Sequence, residues 1–346
     1  MTLMTDLADS DFEQLVLCRD PGAGLASVIA VHDTTLGPSL GGVRMRSYPD
    51  PDFAVADAMN LAEAMTYKAA LAGLPLGGGK SVIDADPTRP DRDVLLAAHA
   101  RYIGTLGGRY LPSVDMGTTP RDLEYMSRWL PGRRGKAADP SPSTARGVVR
   151  AMEAAARSTG ADGLRGLRVA VQGLGNVGRH VVSLLYRAGA TTLVADIDDV
   201  RIRHARDLYG AQPVSVEDIL TADVDVLCPC AAGGVVTERL AETMPARILV
   251  GAANNLLAHD SLAGALAARD IVHVPDFVAN AGGLMAAEAD LREDDSGLDA
   301  AVDGIAATTE AVLRRAAGSG LDPVTVAVQM AREVLAARRA DRPHIP

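Results

Sequence analysis

The feature that most constrains the fold is a glycine-rich turn between an apolar segment and an amphipathic one. Gly173–Gly178 has the pattern G-x-G-x-x-G, and it directly follows the apolar run at residues 167–171. Residues 176–187 then place apolar side chains at helical spacing, and Asp196 ends the next apolar run, 18 residues after the last glycine. A strand, this turn, a helix and an acidic residue at this distance are together typical of a dinucleotide-binding βαβ unit.

Each glycine of the turn has a physical role in such a unit. Gly173 would make the tight turn, Gly175 would let the backbone approach a pyrophosphate, and Gly178 would let the helix pack close to the strand. At the start of the helix, Asn176 and Val177 would offer unpaired backbone N–H groups to the phosphates. A glycine turn without any ligand is the alternative interpretation.

The acidic residue of this unit bears on the choice of cofactor. Asp196 would accept hydrogen bonds from the hydroxyls of the adenosine ribose and would repel a 2′-phosphate, which favours NAD over NADP. Arg201 and Arg203 follow closely in sequence and could bind a phosphate, which keeps NADP as an alternative.

The pattern of apolar runs predicts two α/β domains. In the second half, strands alternate with helices, which indicates a parallel sheet covered on both faces. The first half predicts strands at 25–31, 41–45, 80–83 and 110–114, with helices at 52–71 and 91–106. A polar stretch rich in proline and glycine, 131–143, is the expected junction, and residues 324–339 have a helical pattern. The predicted domains are therefore 1–140 with 324–346, and 141–323.

Composition and charge exclude several classes of function. The formal net charge of −10 would repel a nucleic-acid backbone. No uncharged stretch approaches the roughly 20 apolar residues that span a membrane, and residues 1–20 lack the apolar stretch of a signal peptide. The cysteines, Cys18, Cys228 and Cys230, are odd in number and form no zinc-ligand pattern, so we expect a cytoplasmic protein without a metal site.

Three residues of the first half are candidates for acid–base chemistry. Lys80 lies between three glycines and an apolar strand, and poor solvation there would lower the pKa of its ammonium group. Asp115 directly follows the predicted strand 110–114, where its carboxylate could exchange protons with a substrate nitrogen. Lys68 lies near the end of the predicted helix 52–71. Spacing alone also permits Lys68 as a solvated residue, Lys80 at a strand edge and Asp115 as a helix cap.

Seven sequence blocks in the same order make the chain resemble the amino-acid dehydrogenases. The blocks are Leu40–Met45, Met65–Lys68, Leu76–Ile83, Asp115–Thr119, Gly173–Gly178, Gly251–Asn255 and Asn280–Gly283. The chain is most similar to the leucine, valine and phenylalanine dehydrogenase branch of that family, and the resemblance covers residues 20 to 335. It implies an α/β catalytic domain and a doubly wound, Rossmann-type NAD domain, separated by a cleft that holds the site.

The resemblance also implies roles for the candidate residues of the first half. Lys68 would bind the α-carboxylate of the substrate, together with the backbone of Gly41 and Gly42. Lys80 would polarise the substrate carbonyl and activate the attacking water, and Asp115 would move protons to and from the amino nitrogen.

The remaining implied contacts concern the nicotinamide and the substrate side chain. The residues that would contact the cofactor in addition to the glycine turn and Asp196 are Cys230, Ala231, Ala253 and Asn254. Those that would contact the substrate are Leu40, Met65, Ser113, Asn280, Leu284 and Ala287. The small Ala286 and Ala287 would leave room for a side chain larger than that of leucine.

The function implied is NAD-dependent, reversible oxidative deamination of a nonpolar L-amino acid, with leucine, valine or isoleucine preferred. An aromatic substrate, phenylalanine or tryptophan, is the alternative. A catalytically silent NAD-binding module and a hydroxy-acid dehydrogenase are the alternatives from other classes, although the latter lacks the expected histidine–carboxylate pair. The family implies a homo-oligomer, a dimer or larger, that acts on small molecules.

Overall fold

The computed structural model describes residues 11–130 and 139–341, which form two compact units. The first unit consists of residues 11–130 with 290–293 and 331–341, and the second of 139–289 with 294–330. The C-terminal contribution to the first unit thus starts at residue 331, whereas the sequence predicts residue 324. Residues 1–10, half of the segment predicted to lack a signal peptide, and most of the predicted junction lie outside the described residues.

The first unit is built on a five-stranded mixed sheet. Its elements are β1 (Gln14–Asp20), β2 (Leu25–Asp33), β3 (Ser39–Arg46), α1 (Pro51–Leu71), β4 (Gly77–Asp84), α2 (Arg92–Thr105), β5 (Tyr110–Val114) and α3 (Pro120–Met126). The strand order is β1-β2-β4-β3-β5. β1 and β4 run antiparallel to β2, whereas β3 runs parallel to both β4 and β5. The carboxyl ends of β3, β4 and β5 therefore meet at one edge of the sheet.

The second unit contains a six-stranded sheet in which all paired strands are parallel. Its strands are β6 (Arg168–Gln172), β7 (Thr191–Ala195), β8 (Gln212–Pro213), β9 (Val226–Pro229), β10 (Ile248–Leu249) and β11 (Val272–His273). Read from β8, the order β8-β7-β6-β9-β10-β11 is that of a Rossmann domain, and it reverses direction at β6. The predicted α/β class and Rossmann-type sheet are confirmed. Dinucleotides bind at the carboxyl ends of the strands beside such a reversal.

Helices connect these strands and complete the chain. They are α4 (Ser141–Ser158), α5 (Gly178–Ala188), α6 (Asp199–Tyr209), α7 (Glu238–Thr243), α8 (Leu262–Ala267), α9 (Asp276–Ala279), α10 (Gly282–Arg292), α11 (Leu298–Asp303), α12 (Ile305–Ser319) and α13 (Pro323–Ala340). In α1, the side chain of Asp50 accepts a hydrogen bond from the backbone N–H of Asp52, and Pro51 opens the helix. This is the proline and N-cap arrangement that favours a helix start.

Two elements differ from the predictions made from sequence. The last three residues of the predicted junction are helical, since α4 begins at Ser141 with a proline in its first turn, where proline is tolerated. β1 was not predicted, because its mixed polar and apolar residues lack a clear alternation. Within the described ranges, no helix is long and apolar enough to cross a membrane.

Candidate active site

β4 carries Lys80 in the most crowded part of the first unit. A Cβ atom placed on Gly78 would lie 2.2 Å from the backbone nitrogen of Thr66 in α1, and one on Gly41 would lie 1.6 Å from the carbonyl oxygen of Gly79. The helix and the two strands therefore pack at distances that only glycine permits. Lys80, the next residue on β4, is only 6% exposed.

Lys80 forms a close ion pair with Asp115, which lies directly after β5. Lys80 Nζ is 2.5 Å from Asp115 Oδ2. The Asp115 backbone N–H donates to the hydroxyl of Thr118, which in turn donates to the carbonyl of Val43. A Cβ atom on Gly42 would lie 2.5 Å from the Cβ of Asp115, so β3 also approaches the carboxylate closely because of a glycine.

Burial and charge act in opposite directions on the pKa values of this pair. Burial lowers the pKa of the Lys80 ammonium, and the neighbouring Asp115 only partly opposes this. Burial alone would raise the pKa of Asp115, but the charges of Lys80 and Arg44 outweigh burial and hold that pKa below its usual value. The pair thus combines an amine that loses its proton more readily than usual with a carboxylate that stays charged.

Arg44 of β3 is a member of this cluster that the sequence reasoning did not single out. Its Nε lies 3.0 Å from Asp115 Oδ2, and its Nη1 lies 2.9 Å from Asp57 Oδ2 in α1. The hydroxyl of Tyr48 also donates to Asp57. Residues two apart on a strand share a face, so Arg44 lies on the same face of β3 as Gly42. That this face meets Asp115 depends on the pairing of β3 with β5, which the sequence did not predict.

The other substrate-site candidates of the first unit lie on the elements that carry the pair. Lys68 is half-buried in the last turn of α1, and Met65 is half-buried one turn earlier. Leu40 is buried on β3, where it pairs with Gly78 of β4. Ser113 of β5 is half-buried and pairs with Gly42 of β3.

The glycine-rich turn of the second unit has the geometry that a dinucleotide requires. Gly173 has a φ of +94°, a backbone conformation that favours glycine. A Cβ atom on Gly178 would lie 1.9 Å from the carbonyl oxygen of Gly173, so α5 packs directly on the turn. A Cβ atom on Gly175 would meet no atom within 4 Å. The space in front of Gly175 is thus open, which fits a bound pyrophosphate.

Asp196 fixes this turn to the end of β7. Its Oδ2 accepts a hydrogen bond of 2.6 Å from the backbone N–H of Leu174, and its Oδ1 accepts one from the N–H of Asp198. Arg201 of α6 lies 3.7 Å from Asp196 and 3.3 Å from Asp198. Arg201 is therefore held by two carboxylates.

A cavity of about 250 Å³ lies beside the glycine turn. Gly175 and Asn176 of the turn, Arg179 of α5, and Arg201 and His204 of α6 contribute to its lining. Its position next to the open face of Gly175 fits part of a dinucleotide.

Loops after β9, β10 and β11 carry the other candidates of the second unit. The backbone N–H of Cys230 donates to the carbonyl of Gln172 at the end of β6, which holds the β9 loop against the glycine turn. A Cβ atom on Gly173 would lie 2.7 Å from the Cβ of Ala231. Ala253 donates its backbone N–H to the carbonyl of Pro229. Cys230 and Ala231 thus lie at the end of β6, and Ala253 lies at the end of β9, the strand paired with it.

Asn280 supplies a buried acceptor in this region. Its Nδ2 donates to Asn254 Oδ1 over 2.8 Å and to the carbonyl of Ala252 over 3.2 Å. Within the part of the chain that is described, its Oδ1 is buried and has no hydrogen-bond partner, and the same holds for Gln172 Oε1. Buried acceptors without partners are costly, so these two oxygens are suited to receive donors from a ligand.

The candidates for substrate selection in this unit lie on α10. Leu284 is 7% exposed, and Ala287 is half-buried.

Two cysteines lie at the end of β9. Cys228 Sγ and Cys230 Sγ lie 3.7 Å apart. Among the residues whose placement is described, no group of three or more histidines, cysteines or acidic residues is arranged to hold a metal ion.

The chain is similar to known proteins in its family models, its sequence and its structure. Residues 13–130 match the model of the Glu/Leu/Phe/Val dehydrogenase dimerisation domain, and residues 135–201 and 195–337 match that of the glutamate/leucine/phenylalanine/valine dehydrogenases. The leucine dehydrogenase of Bacillus subtilis is 38% identical over 99% of this chain and 96% of its own length. The valine dehydrogenase of Streptomyces albus is 40% identical over 95% and 94%.

Solved structures give a consistent result. The crystal structure of L-tryptophan dehydrogenase from Nostoc punctiforme superposes with a TM-score of 0.86 at 33% sequence identity, and the match covers 98% of this chain and 100% of that one. A hetero-hexameric glutamate dehydrogenase from Thermus thermophilus has a TM-score of 0.77 at 25% identity, and the match covers 97% of this chain and 91% of that one.

Proposed function

The chain belongs to the glutamate/leucine/phenylalanine/valine dehydrogenase family, and we propose that it catalyses NAD-dependent, reversible oxidative deamination of a nonpolar L-amino acid. The observation that carries this proposal is the buried pair of Lys80 and Asp115, with 2.5 Å between Nζ and Oδ2. An amine with a lowered pKa beside a charged carboxylate can supply both the base and the proton carrier that deamination needs.

Lys80 and Asp115 would act in sequence on the substrate. A bound nicotinamide cofactor would supply the hydride acceptor, so that oxidation at the substrate Cα would leave an imine. Lys80 then accepts a proton from the water that adds to the imine carbon, and it stabilises the oxygen that becomes the carbonyl. Asp115 would take up a proton from the substrate ammonium before oxidation and return it to the nitrogen of the water adduct. The nitrogen would then leave with the hydroxyl proton as ammonium, and the 2-oxo acid would remain.

The other first-unit residues would bind and orient the substrate. Lys68 would pair with the α-carboxylate. The backbone of Gly41 and Gly42 would contact the same carboxylate, because these glycines have no side chains to cover their backbone atoms. The residues assigned to the remainder of the substrate are Leu40, Met65, Ser113, Asn280, Leu284 and Ala287. Asn280 is the polar member of this set, and its Oδ1 can accept from a substrate N–H.

The second unit would hold the cofactor. The pyrophosphate would lie against Gly173, Gly175 and Gly178, with Asn176 and Val177 at the start of α5. Asp196 would accept from the ribose hydroxyls, and its charge favours NAD over NADP. The residues assigned to the nicotinamide half are Cys230, Ala231, Ala253 and Asn254. With this cofactor site, the domains proposed are 1–140 with 324–346 for catalysis, and 141–323 for NAD.

Leucine, valine or isoleucine is the proposed substrate, because the leucine and valine dehydrogenases above share 38–40% identity with nearly the whole chain. An aromatic substrate is the second candidate. The structural match to a tryptophan dehydrogenase and the small side chains of Ala286 and Ala287 favour it.

Oxidation of NADH in the presence of ammonium and a panel of 2-oxo acids, from pyruvate to indolepyruvate, tests this proposal. We expect turnover that requires ammonium, prefers branched aliphatic oxo acids and is much slower with NADPH. Turnover without ammonium would indicate a hydroxy-acid dehydrogenase. Binding of NADH without turnover of any oxo acid would indicate a silent module.

We also propose a homo-oligomer in the cytoplasm. The match of residues 13–130 to a family model described as a dimerisation domain supports self-association. Cys18, Cys228 and Cys230 are all free thiols, which fits a reducing compartment.

A further inference from the structure

Two cations share one carboxylate in the first unit. Lys80 Nζ and Arg44 Nε lie 2.5 Å and 3.0 Å from the same oxygen, Asp115 Oδ2. The side chains of Lys80, Arg44 and Asp115 are 7%, 12% and 18% exposed, so water screens their charges only weakly. The position of Asp115 therefore does not depend on Lys80 alone.

Arg44 is itself held at a second point. Its Nη1 donates to both carboxylate oxygens of Asp57, over 3.1 Å and 2.9 Å, and Asp57 also accepts from the hydroxyl of Tyr48. The rigid, planar guanidinium can contact two carboxylates at fixed geometry, which a lysine ammonium cannot do. Arg44 thus connects Asp115 to α1.

The four charged groups, Lys80, Arg44, Asp115 and Asp57, are balanced as two cations and two anions. If Lys80 loses its proton, Asp115 still has Arg44 as a partner. Without Arg44, the same proton loss would leave Asp115 as a buried charge with no cation, which is strongly unfavourable. Lys80 would then be held in its protonated form.

We propose that Arg44 is a positioning residue for this reaction, which holds the Asp115 carboxylate in place so that Lys80 can release and recover its proton. The role of Arg44 in catalysis rests on the proposed function, whereas its effect on the pKa of Lys80 can be measured without turnover.

The direction of the effect on Lys80 follows from the surrounding charges. The titratable and charged groups that act on the pair are Arg44 of β3, Asp57 of α1 and Tyr110 of β5. Tyr48, which follows β3, acts on Asp57 and Arg44. Burial lowers the pKa of Lys80 most, Asp115 opposes this, and Arg44 lowers the pKa further. Removing Arg44 should therefore raise the pKa of Lys80.

Lysine NMR can test this directly, because the chain contains only three lysines, Lys68, Lys80 and Lys136. Protein labelled with ¹³C at lysine Cε would show three signals, and Lys80→Arg would identify that of Lys80. We expect the titration midpoint of Lys80 to rise by about one pH unit or more in Arg44→Met. Arg46→Met is the matched control, since Arg46 is exposed on the same strand and the substitution removes the same charge.

Equal midpoints in Arg44→Met and Arg46→Met would overturn the proposal. The acid limb of the kcat/KM profile for deamination should also move to higher pH in Arg44→Met, with unchanged affinity for NADH. A merely structural role for Arg44 would lower activity at all pH values without moving this limb. Absence of ammonium-dependent turnover in the unmodified enzyme would contradict the proposed function, while the NMR titration would still decide the role of Arg44.

Arg44→Lys is the second variant, for the case in which Arg44→Met does not fold. It keeps a cation but lacks the planar group that reaches both Asp57 and Asp115. We expect a kcat at least about tenfold lower, with little change in the KM for the amino acid. A kcat equal to that of the unmodified enzyme would overturn the proposal.

Discussion

At the scale of single residues, the choice between lysine and arginine at position 80 has a chemical reason. The chain has 34 basic residues of which only three are lysines, so arginine is its usual cation. A guanidinium does not lose its proton in proteins, whereas burial brings the pKa of an ammonium into a useful range. Of these two cations, only lysine could act at position 80 as the proton acceptor proposed above.

Lys80→Arg and Lys80→Ala should both lose activity for this reason. We expect kcat to fall by at least about 100-fold in each, since acid–base groups contribute about 10²–10⁴ in rate. Lys80→Arg is the informative variant because it keeps the charge next to Asp115. The measurements are initial rates at saturating substrate and NADH binding by fluorescence, which should not change. A Lys80→Arg enzyme with normal kcat would show that Lys80 supplies charge alone.

Sequence patterns indicated Lys80, Asp115 and Asp196 because each directly precedes or follows a predicted strand or glycine turn. Their proposed roles stay predictions. Arg44 was not found, although it lies within a quoted motif, because its contact with Asp115 joins strands 71 residues apart. Contacts of this kind depend on strand order, and the strand order of a mixed sheet is not contained in local patterns.

At the scale of elements, the glycine turn after β6 contains two glycines that the fold requires and one that only a bound ligand would require. Gly173 and Gly178 are constrained by protein atoms, but Gly175 faces open space. A side chain at Gly175 would thus conflict with a ligand and not with the protein.

Gly175→Ala should accordingly weaken NADH binding without destabilising the fold. We expect the Kd for NADH to rise by about tenfold or more, which corresponds to about 1.4 kcal/mol. Gly264→Ala in α8 is the matched control, because its Cβ also meets no atom within 4 Å. Fluorescence titration with NADH gives Kd, and thermal unfolding gives stability. Equal Kd values in the two variants would place the pyrophosphate elsewhere.

Local sequence predicted most elements because hydrophobic runs bounded by glycine and proline define them. The strand β5 was predicted with its observed bounds, and the apolar run that ends at Asp196 is β7. The helix predicted from residue 176 begins at Gly178, because Asn176 and Val177 belong to the turn. α4 was not predicted, because the serines and prolines at its start have the composition of a linker.

At the scale of the whole molecule, each unit contains a fully buried histidine. His99 in the first unit makes 2.9 Å hydrogen bonds to the hydroxyls of Ser27 and Ser81, and burial lowers its pKa to about 3. His273 in the second unit has a pKa lowered by burial to about 4. Both are neutral in the folded protein at pH 5.5, whereas both would bind a proton in the unfolded chain, whose histidine pKa is about 6.5.

Stability should therefore fall on acidification from pH 7.5 to 5.5. A histidine pKa that is lower in the folded state gives stability that is complete above about pH 6.5 and is lost as pH decreases. At pH 5.5 each buried histidine should cost about 1.4 kcal/mol. Trp129, the single tryptophan, lies in the first unit, so its fluorescence during urea unfolding reports on that unit.

His99→Gln should reduce the pH dependence of this transition by about 1.4 kcal/mol, because glutamine can bond to the serines but does not titrate. His273→Gln is the control, since His273 lies in the other unit. A pH dependence of the Trp129 transition that is the same in all three proteins would refute this account.

The two-domain α/β organisation followed from the alternation of strands and helices, and the comparisons confirm the family. The antiparallel position of β1 and β2 did not follow from sequence, because pairing between strands is decided by the packing of the complete sheet. The boundaries between the compact units also depend on tertiary contacts. Residues 290–293, for example, belong to the first unit although the segments before and after them belong to the second.

The glycine contacts between β3, β4 and α1 also determine where mutational diversity can be introduced into the proposed substrate site. A side chain at Gly41 or Gly78 would clash with backbone atoms of the neighbouring strand or helix. Randomising these codons should therefore yield mostly unfolded variants. Leu40 and Met65, on the same elements, already carry side chains whose replacement leaves the backbone spacing intact. A combinatorial library for new amino-acid substrates is therefore best confined to such positions, with every glycine of β3 and β4 kept fixed.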